Sequence, residues 1–217
     1  MRKCADTLES ELTPGELAAL TDLLRGAGLT GRHLEIGTAA GGTLKEMMAA
    51  YPAGTRPPFV AIDPMTYFED QPNVVRVNLA SRGIDASEVD FRVAYSWPEY
   101  AKAAARGERY QFMLIDGDHS ARGVIHDLVW TRLLDVGGYV CLHDVAPLYT
   151  GVMWAVKRFL ASVDNYETVA HVEKLLILRK TGQAKRPEVS GFHLATSHLA
   201  NLLLKWQRSI QRRLAGR

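Results

Sequence analysis

The stretch Phe112-Met113-Leu114-Ile115-Asp116-Gly117-Asp118-His119-Ser120 constrains this chain more than any other. Four apolar residues run straight into Asp116. A short apolar run bounded by turn residues reads as a strand buried on both faces, as in a parallel sheet. Asp118, His119 and Ser120 follow, with Gly117 as the flexible joint. Several titratable side chains at the mouth of a buried strand suit chemistry better than packing. A second run, Tyr139-Val140-Cys141-Leu142, ends in His143-Asp144. If the two runs are neighbouring parallel strands, their polar ends meet, and ligands in open α/β sheets bind outside the carboxyl ends of the strands.

The rest of the chain repeats this strand-then-helix rhythm. Thr13-Pro14-Gly15-Glu16 has the pattern of a helix start, with Thr as N-cap, Pro in the first turn and Glu three residues on. Leu17, Leu20, Leu23 and Leu24 give that helix an apolar face, and Gly26 and Gly28 end it. Its expected task is to cover the sheet, with no chemistry assigned. Strands are expected at 33–37, 59–62, 89–93, 112–116 and 139–142, with helices over 43–50, 98–106, 121–134 and 150–163. Residues 66–85 read as a loop with a short helix, and 135–138 as a turn. Two further strands, 166–172 and 175–179, joined at Glu173-Lys174, make an antiparallel hairpin. Alternating strands and helices imply a parallel sheet.

The Gly-rich turn Gly37-Thr38-Ala39-Ala40-Gly41-Gly42 lies between a strand and a helix, a place for binding a nucleotide. Two features disfavour pyrophosphate. Glu35 sits in the approach to the turn, and Ala39 stands where the dinucleotide fingerprint needs its middle Gly. Asp63, ending the second strand, can accept hydrogen bonds from both ribose hydroxyls. This pattern suits a cationic, phosphate-free nucleoside such as S-adenosylmethionine.

The stretches LEIGTAAGGT, VAIDP, FMLIDGDHSARGVIHDL and LLDVGGYVCLHDV resemble class I S-adenosylmethionine-dependent methyltransferases. More narrowly, they resemble the cephalosporin-hydroxylase-like and antibiotic-sugar O-methyltransferase branch. Catechol O-methyltransferases are similar at a greater distance. The match spans residues 30–180. It implies an α/β Rossmann-like fold: a seven-stranded, mostly parallel sheet in the order 3-2-1-4-5-7-6, with helices on both faces. It also implies Glu35, Gly37 and Gly41 near the methionine part of the cofactor, Asp63 on the ribose, and Tyr95 and Ser96 near the adenine. Thr38 and Asp116 are counted with these cofactor-binding residues. In that branch an Asp ending strand four and an acidic or amide pair ending strand five bind a divalent cation, here Asp116, His143 and Asp144. His143 departs from the usual Asp or Glu, so metal identity and occupancy stay open.

Methyl transfer from a sulfonium to a hydroxyl needs in-line approach, a nucleophilic oxygen and a place for the proton. A divalent cation on Asp116 and Asp144 would lower the acceptor's pKa. Oxygen ligands favour Mg²⁺, and an imidazole ligand tilts the site towards Mn²⁺ or its neighbours. His119 is the first choice as catalytic base, since a reference pKa of ~6.5 suits proton acceptance near neutrality. Asp118 is the second choice. Plainer roles compete with these: Asp116 or His119 as a helix cap, and His143 as a hydrogen-bond partner of Asp116 with no metal. His126 and Asp127 read as structural, and Trp130 and Trp154 as core. His171, His193 and His198 form no ligand spacing.

At 217 residues the chain is one domain of ample size, with a distinct tail. Nine Lys/Arg against Glu188 alone give residues 179–217 a charge of +8, so the overall +2 leaves −6 on residues 1–178. The expected division is a methyltransferase domain over 1–180 and a basic linker with an amphipathic helix over 181–217. Leu199, Leu202, Leu203, Trp206, Ile210 and Leu214 form one apolar stripe on a helix from about 196 to 214, decorated by Lys205, Arg208, Arg212, Arg213 and Arg217. That helix could pack on its own domain, join two subunits or lie on an anionic membrane. No aromatic stacking pattern accompanies the charge, so nucleic acid is not expected. Cys4 and Cys141 offer no disulfide framework, no apolar run reaches ~18 residues, and the cytosol is the default location.

Two classes of function follow. One is an S-adenosylmethionine-dependent, metal-assisted O-methyltransferase acting on a small hydroxylated molecule such as a sugar or polyketide. The other is a non-catalytic nucleoside-binding protein whose basic tail recruits a membrane or partner.

Overall fold

A computed structural model describes residues 9–215, with side chains described through residue 207. Cys4 and Arg217 lie outside the described residues, and so do the side chains of Arg208, Ile210, Arg212, Arg213 and Leu214.

Seven strands form one sheet: β1 (His33–Ile36), β2 (Phe59–Asp63), β3 (Val89–Val93), β4 (Tyr110–Ile115), β5 (Leu134–Leu142), β6 (Tyr166–Val172) and β7 (Leu175–Lys180). Their order is β3-β2-β1-β4-β5-β7-β6, as the resemblance implies. The first five are parallel, and β7 runs antiparallel to both β5 and β6. Among the described residues seven α-helices surround the sheet: α1 (Pro14–Gly26), α2 (Gly42–Ala49), α3 (Gln71–Ala80), α4 (Ser96–Ala105), α5 (Ala121–Leu128), α6 (Thr150–Leu160) and α7 (Gly191–Ala215).

The apolar strands feed two cores, because successive side chains of a strand point to opposite faces. Leu34, Ile36, Met113, Ile115, Val140 and Leu142 pack on one face with Val124, Ile125, Val152 and Phe159 of α5 and α6. Phe59, Ala61, Phe112, Leu114, Cys141 and Ile177 pack on the other with Leu20, Leu24, Leu44 and Met47 of α1 and α2. Trp130 is fully buried in the first core, and Trp154 packs partly buried against it. Cys141 is a buried free thiol.

Several boundaries differ from the sequence expectation, among them β4, which starts at Tyr110, and α6, which ends at Leu160. β5 starts at Leu134, because the Asp135-Gly138 segment continues the strand as an irregularity opposite Tyr110/Phe112 rather than closing a turn. A Cβ on Gly138 would come within 2.8 Å of the Gln111 carbonyl, so this approach requires Gly. The helix expected over 121–134 ends at Leu128 and tightens into a 3₁₀ turn over Val129–Leu133. α4 begins two residues earlier than expected, which leaves Pro98 in its first turn, where Pro is tolerated. α7 begins at Gly191, where Ser190 N–H donates to His193 Nδ1 at 2.9 Å, a cap no sequence pattern advertises.

The segment leading into α7 is tied to the domain. Lys180 and Glu188 form an ion pair of 2.7 Å with both side chains almost fully buried. Lys180 also donates to the Thr131 carbonyl (3.0 Å), and Asn165 donates to Glu188 (3.0 Å). Removing one partner of a buried pair strands the other charge. Glu188→Gln should therefore cost about 3–5 kcal/mol in denaturant unfolding. A loss below about 1 kcal/mol would be that of a surface pair instead.

Candidate active site

The parallel register brings the polar strand ends together. Ile36 lies beside both Ile62 and Ile115, and Ile115 lies beside Leu142. The ladder runs one residue beyond the strands: Gly37 donates to Ile62 (3.0 Å), Asp116 to Ile36 (2.9 Å) and His143 to Ile115 (3.1 Å). The two sequence runs are thus adjacent strands, and their ends open into one cleft of about 1070 Å³.

The Gly-rich turn forms one wall. Gly37 (φ 86°) cannot carry a Cβ, which would sit 2.2 Å from the Asp116 carbonyl oxygen. Gly41 (φ 78°) caps α2 and faces Val75 rather than the cleft. Thr38 N–H donates to Asp63 Oδ2 (2.8 Å), which locks the first turn to the end of β2. The other Asp63 oxygen accepts from Met65 N–H (2.6 Å) and Gln71 Nε2 (3.2 Å). Gln71 also donates to the Ala39 carbonyl and Asn78 to that of Ala40, both at 2.9 Å. These two α3 residues hold the turn from behind, and nothing in the sequence reading of 66–85 singled them out.

Gly37, Thr38, Asp63, Tyr95 and Ser96 line the cleft; Glu35 lies buried in β1. Burial, reinforced by the charges of Asp116 and Asp63, pushes the Glu35 carboxyl well above its ordinary pKa. Burial thus disfavours the negative charge expected in the approach to the turn, against the opposing contact of the Thr38 side chain. Glu35 Oε2 and Thr38 Oγ1 are both buried without a hydrogen-bond partner. Tyr95 is exposed, while Ser96 is buried and hydrogen-bonds Asp127. Asp127, read as structural, is a buried cleft residue whose pKa burial raises to about 7.

The strand-four and strand-five ends form a chain of charged groups. His143 Nδ1 lies 3.0 Å from Asp116 Oδ1, and its Nε2 lies 3.4 Å from Glu16 Oε2. His119 Nε2 lies 3.0 Å from Asp144 Oδ2 and 3.9 Å from Asp116. Lys174 Nζ donates to Asp144 Oδ1 at 3.1 Å. Asp144 holds a left-handed backbone (φ 57°), an uncommon conformation for a non-glycine residue. Asp118 also lines the cleft, and its two oxygens accept from Ser120 N–H (2.8 Å) and Ser120 Oγ (2.7 Å), at the entry to α5.

Charges within this chain shift one another. The Asp116 carboxylate, with the nearby charge of Asp144, raises the His119 pKa against the effect of partial burial. Burial would lower His143, and Asp116 and Asp144 outweigh it to raise the pKa. Burial would raise Asp116, and the two histidines outweigh it to lower the pKa. Glu16 is lowered in the same way by the backbone N–H groups of Thr13 and Lys174 and by His143.

Glu16 and Lys174 carry no sequence signal for this role. Glu16 completes the expected capping box, but it is fully buried and also accepts from the Lys174 backbone N–H at 2.8 Å. Lys174 belongs to the hairpin turn and stands over the Tyr149 ring at 5.8 Å, and that ring meets His119 edge-on at 5.2 Å.

Asp116, His143 and Asp144 can each offer a ligand atom within 4.8 Å of the others, which matches the expected metal group. Two carboxylates and an imidazole are suitable donors for a divalent cation. Their present partners compete with that use. Both His143 nitrogens face carboxylates, and Asp144 already holds an ammonium. As arranged, His143 is partnered by the Asp116 and Glu16 carboxylates and Asp144 by the Lys174 ammonium, so a metal would compete with these contacts.

No curated protein sequence matches the chain. Solved structures with the same fold include an O-methyltransferase from Bacillus cereus in complex with SAH, 17% identical with a TM-score of 0.64 over 79% of this chain and 83% of that one. TomG, an O-methyltransferase of Streptomyces achromogenes involved in tomaymycin synthesis and complexed with SAM, is 18% identical with a TM-score of 0.60 over 79% and 82%. CalS11, a TDP-rhamnose 3′-O-methyltransferase of calicheamicin biosynthesis, is 16% identical with a TM-score of 0.59 over 77% and 81%. The family model described as a methyltransferase domain matches residues 34–145, just over half of the chain. With that match laid over the seven-stranded sheet and a cleft at its strand ends, the chain belongs to the methyltransferase-domain family.

Proposed function

We propose that the protein transfers the methyl group of S-adenosylmethionine to a hydroxyl of a small molecule, of the sugar or polyketide kind, with His119 as general base. The observation that carries this reading is the His119–Asp144 pair, 3.0 Å apart at the cleft wall, with the imidazole half exposed. TomG, of tomaymycin synthesis, and CalS11, of calicheamicin biosynthesis, support the acceptor class.

The cofactor supplies an activated methyl on a sulfonium. The chain has to bind it, orient the acceptor and take one proton. Thr38 Oγ1 and Glu35 Oε2, both unpartnered, offer hydrogen-bonding atoms on the β1 side of the cleft. Asp63, held by Thr38 and Gln71 at the end of β2, would accept from the ribose hydroxyls. Tyr95 and Ser96, which line the same cleft, would flank the adenine. On the acceptor side, an Nε2–H directed at Asp144 leaves His119 Nδ1 as the nitrogen that accepts a proton. The acceptor O–H breaks, its proton passes to Nδ1, and its oxygen takes the methyl group as the methyl–sulfur bond breaks and its electron pair stays on the sulfur of S-adenosylhomocysteine. The Lys174 ammonium at the same carboxylate steadies the negative charge that develops on the oxygen.

A metal-assisted variant of this reaction is the second reading, favoured by the grouping of Asp116, His143 and Asp144. Mg²⁺ and Mn²⁺ suit the donors best.

Calorimetry with S-adenosylhomocysteine should show saturable binding, and Asp63→Ala should weaken it by about 1–3 kcal/mol through loss of the ribose acceptors. Saturable NAD binding without any response to S-adenosylhomocysteine would remove the basis of this reading.

His119→Ala should cut turnover by about 10²–10⁴ while leaving cofactor affinity nearly unchanged. The neutral imidazole is the active form. Its pKa lies above the ordinary 6.5, so activity should fall as pH drops towards and below that raised value. The fall should vanish in the variant. A large loss in Asp118→Ala instead would move the base to that carboxylate.

The two readings part at Lys174. If its ammonium serves as the resident cation, Mn²⁺ followed by electron paramagnetic resonance should bind the native protein weakly. Lys174→Met should then bind it at least about tenfold tighter, since removal of one close like charge is worth a kcal/mol or more. Equal, tight Mn²⁺ binding by both proteins would establish the metal-assisted reading.

A further inference from the structure

Helix α7 has two differently employed faces. His193, Ser197 and Ala200 are buried, and Leu194 packs against the α5–α6 core. These positions recur at three- and four-residue intervals and dock the first half of the helix on α5 and α6. Leu199, Leu203 and Trp206 recur at the same intervals on another face, with Leu202 beside them. All four are between 55% and 67% exposed. Four large apolar side chains open to solvent on one helix form a patch, and contiguous patches of that kind mark interaction surfaces. By sequence, Ile210 and Leu214 extend the same stripe along a backbone that stays helical to Ala215. From Leu199 to Leu214 the stripe runs about 22 Å.

The charge around the stripe decides what covers it. No acidic residue follows Glu188, while Lys205, Arg208, Arg212, Arg213 and Arg217 do. Two such helices laid stripe to stripe would bring like charges together with no carboxylate to offset them. A surface that is apolar just beneath and negative above meets both demands at once. Amphipathic helices with Leu and Trp on one face and Lys/Arg on the other lie in the interface of anionic membranes. No helix among the described residues is long and apolar enough to cross a membrane, so the helix would lie on the surface.

We propose that the second half of α7 is a peripheral membrane anchor, which seats Leu199, Leu202, Leu203 and Trp206 in the headgroup region of an anionic phospholipid bilayer. The first half stays docked on the domain and fixes the methyltransferase cleft relative to that surface. The body carries −6 against +8 for residues 179–217, so the bilayer attracts the tail and repels the rest.

The test is co-sedimentation of the full chain with vesicles of phosphatidylcholine alone or of phosphatidylcholine with phosphatidylserine. The protein should partition onto the serine-containing vesicles and be released by rising salt. Each cation near such a surface is worth about a fivefold gain. Lys205→Gln with Arg208→Gln should therefore weaken binding by on the order of tenfold or more. Leu203→Glu with Trp206→Glu should abolish it while leaving S-adenosylhomocysteine binding intact, which shows that the domain still folds. Equal partition onto both vesicle types, or onto neither, overturns the proposal. So does light scattering that finds a dimer which Leu203→Glu dissociates, since a second copy would then cover the stripe.

Discussion

The common ending of β1, β4 and β5 is the constraint on which the site depends. Ile36, Ile115 and Leu142 are level with one another, and the next residue of each strand is Gly37, Asp116 or His143. A slip of one residue in either pairing would turn every side chain of that strand to the other face and bury a carboxylate in a core. The two apolar cores forbid it, since Ile115 and Leu142 belong to one and Leu114 and Cys141 to the other. Packing thus sets the chemistry. The energy that places Asp116 beside His143 comes from alternate apolar side chains on both faces of the sheet, not from the polar contacts at its end.

Glu16 joins parts of the chain that are distant in sequence. One carboxylate caps α1 through Thr13, accepts from the backbone of Lys174 and faces His143. Through these contacts the first helix, the β6–β7 turn and the end of β5 are fixed together. Lys174 is thereby set so that its ammonium reaches Asp144. A helix that seemed only to cover the sheet is thus part of the wall behind the candidate base. Its capping residue links local helix geometry to the electrostatics of the site.

Much of this was legible in the sequence, for a physical reason. Buried parallel strands are continuous apolar runs, and their polar ends are abrupt, so the 112–116 and 139–142 runs and the residues after them stood out. The interior of the Asp135-Gly138 segment did not, because Gly and Asp read as a turn although β5 begins before them. Gln71, Asn78, Asp127 and Lys174 were not legible either. Each acts by reaching a partner far away in sequence, and a lone amide or a turn lysine has no periodicity to betray that. Glu16 was read correctly as a cap, and that sufficient local explanation hid its second role. The tight His143–Asp116 contact was among the expected alternatives; the ammonium at Asp144 was not.

The charge balance of the cluster ties these elements to function. Glu16, Asp116 and Asp144 bring three carboxylates into a small space, against one fixed cation, Lys174, and two histidines. Two unit charges about 4 Å apart interact by about 4 kcal/mol at the effective dielectric of a protein surface. The carboxylates therefore cannot stay ionised together without positive partners, and they raise the pKa of both histidines to provide them. For His119 to act as a base its imidazole must be neutral, and that form leaves the cluster more negative than the protonated one. The sulfonium of the cofactor is a cation that offsets this, and so is a divalent metal. Protonation of His119, cofactor binding and cation binding are on this view one coupled equilibrium. Lys174 sets its starting point by supplying the one charge that none of the three can remove.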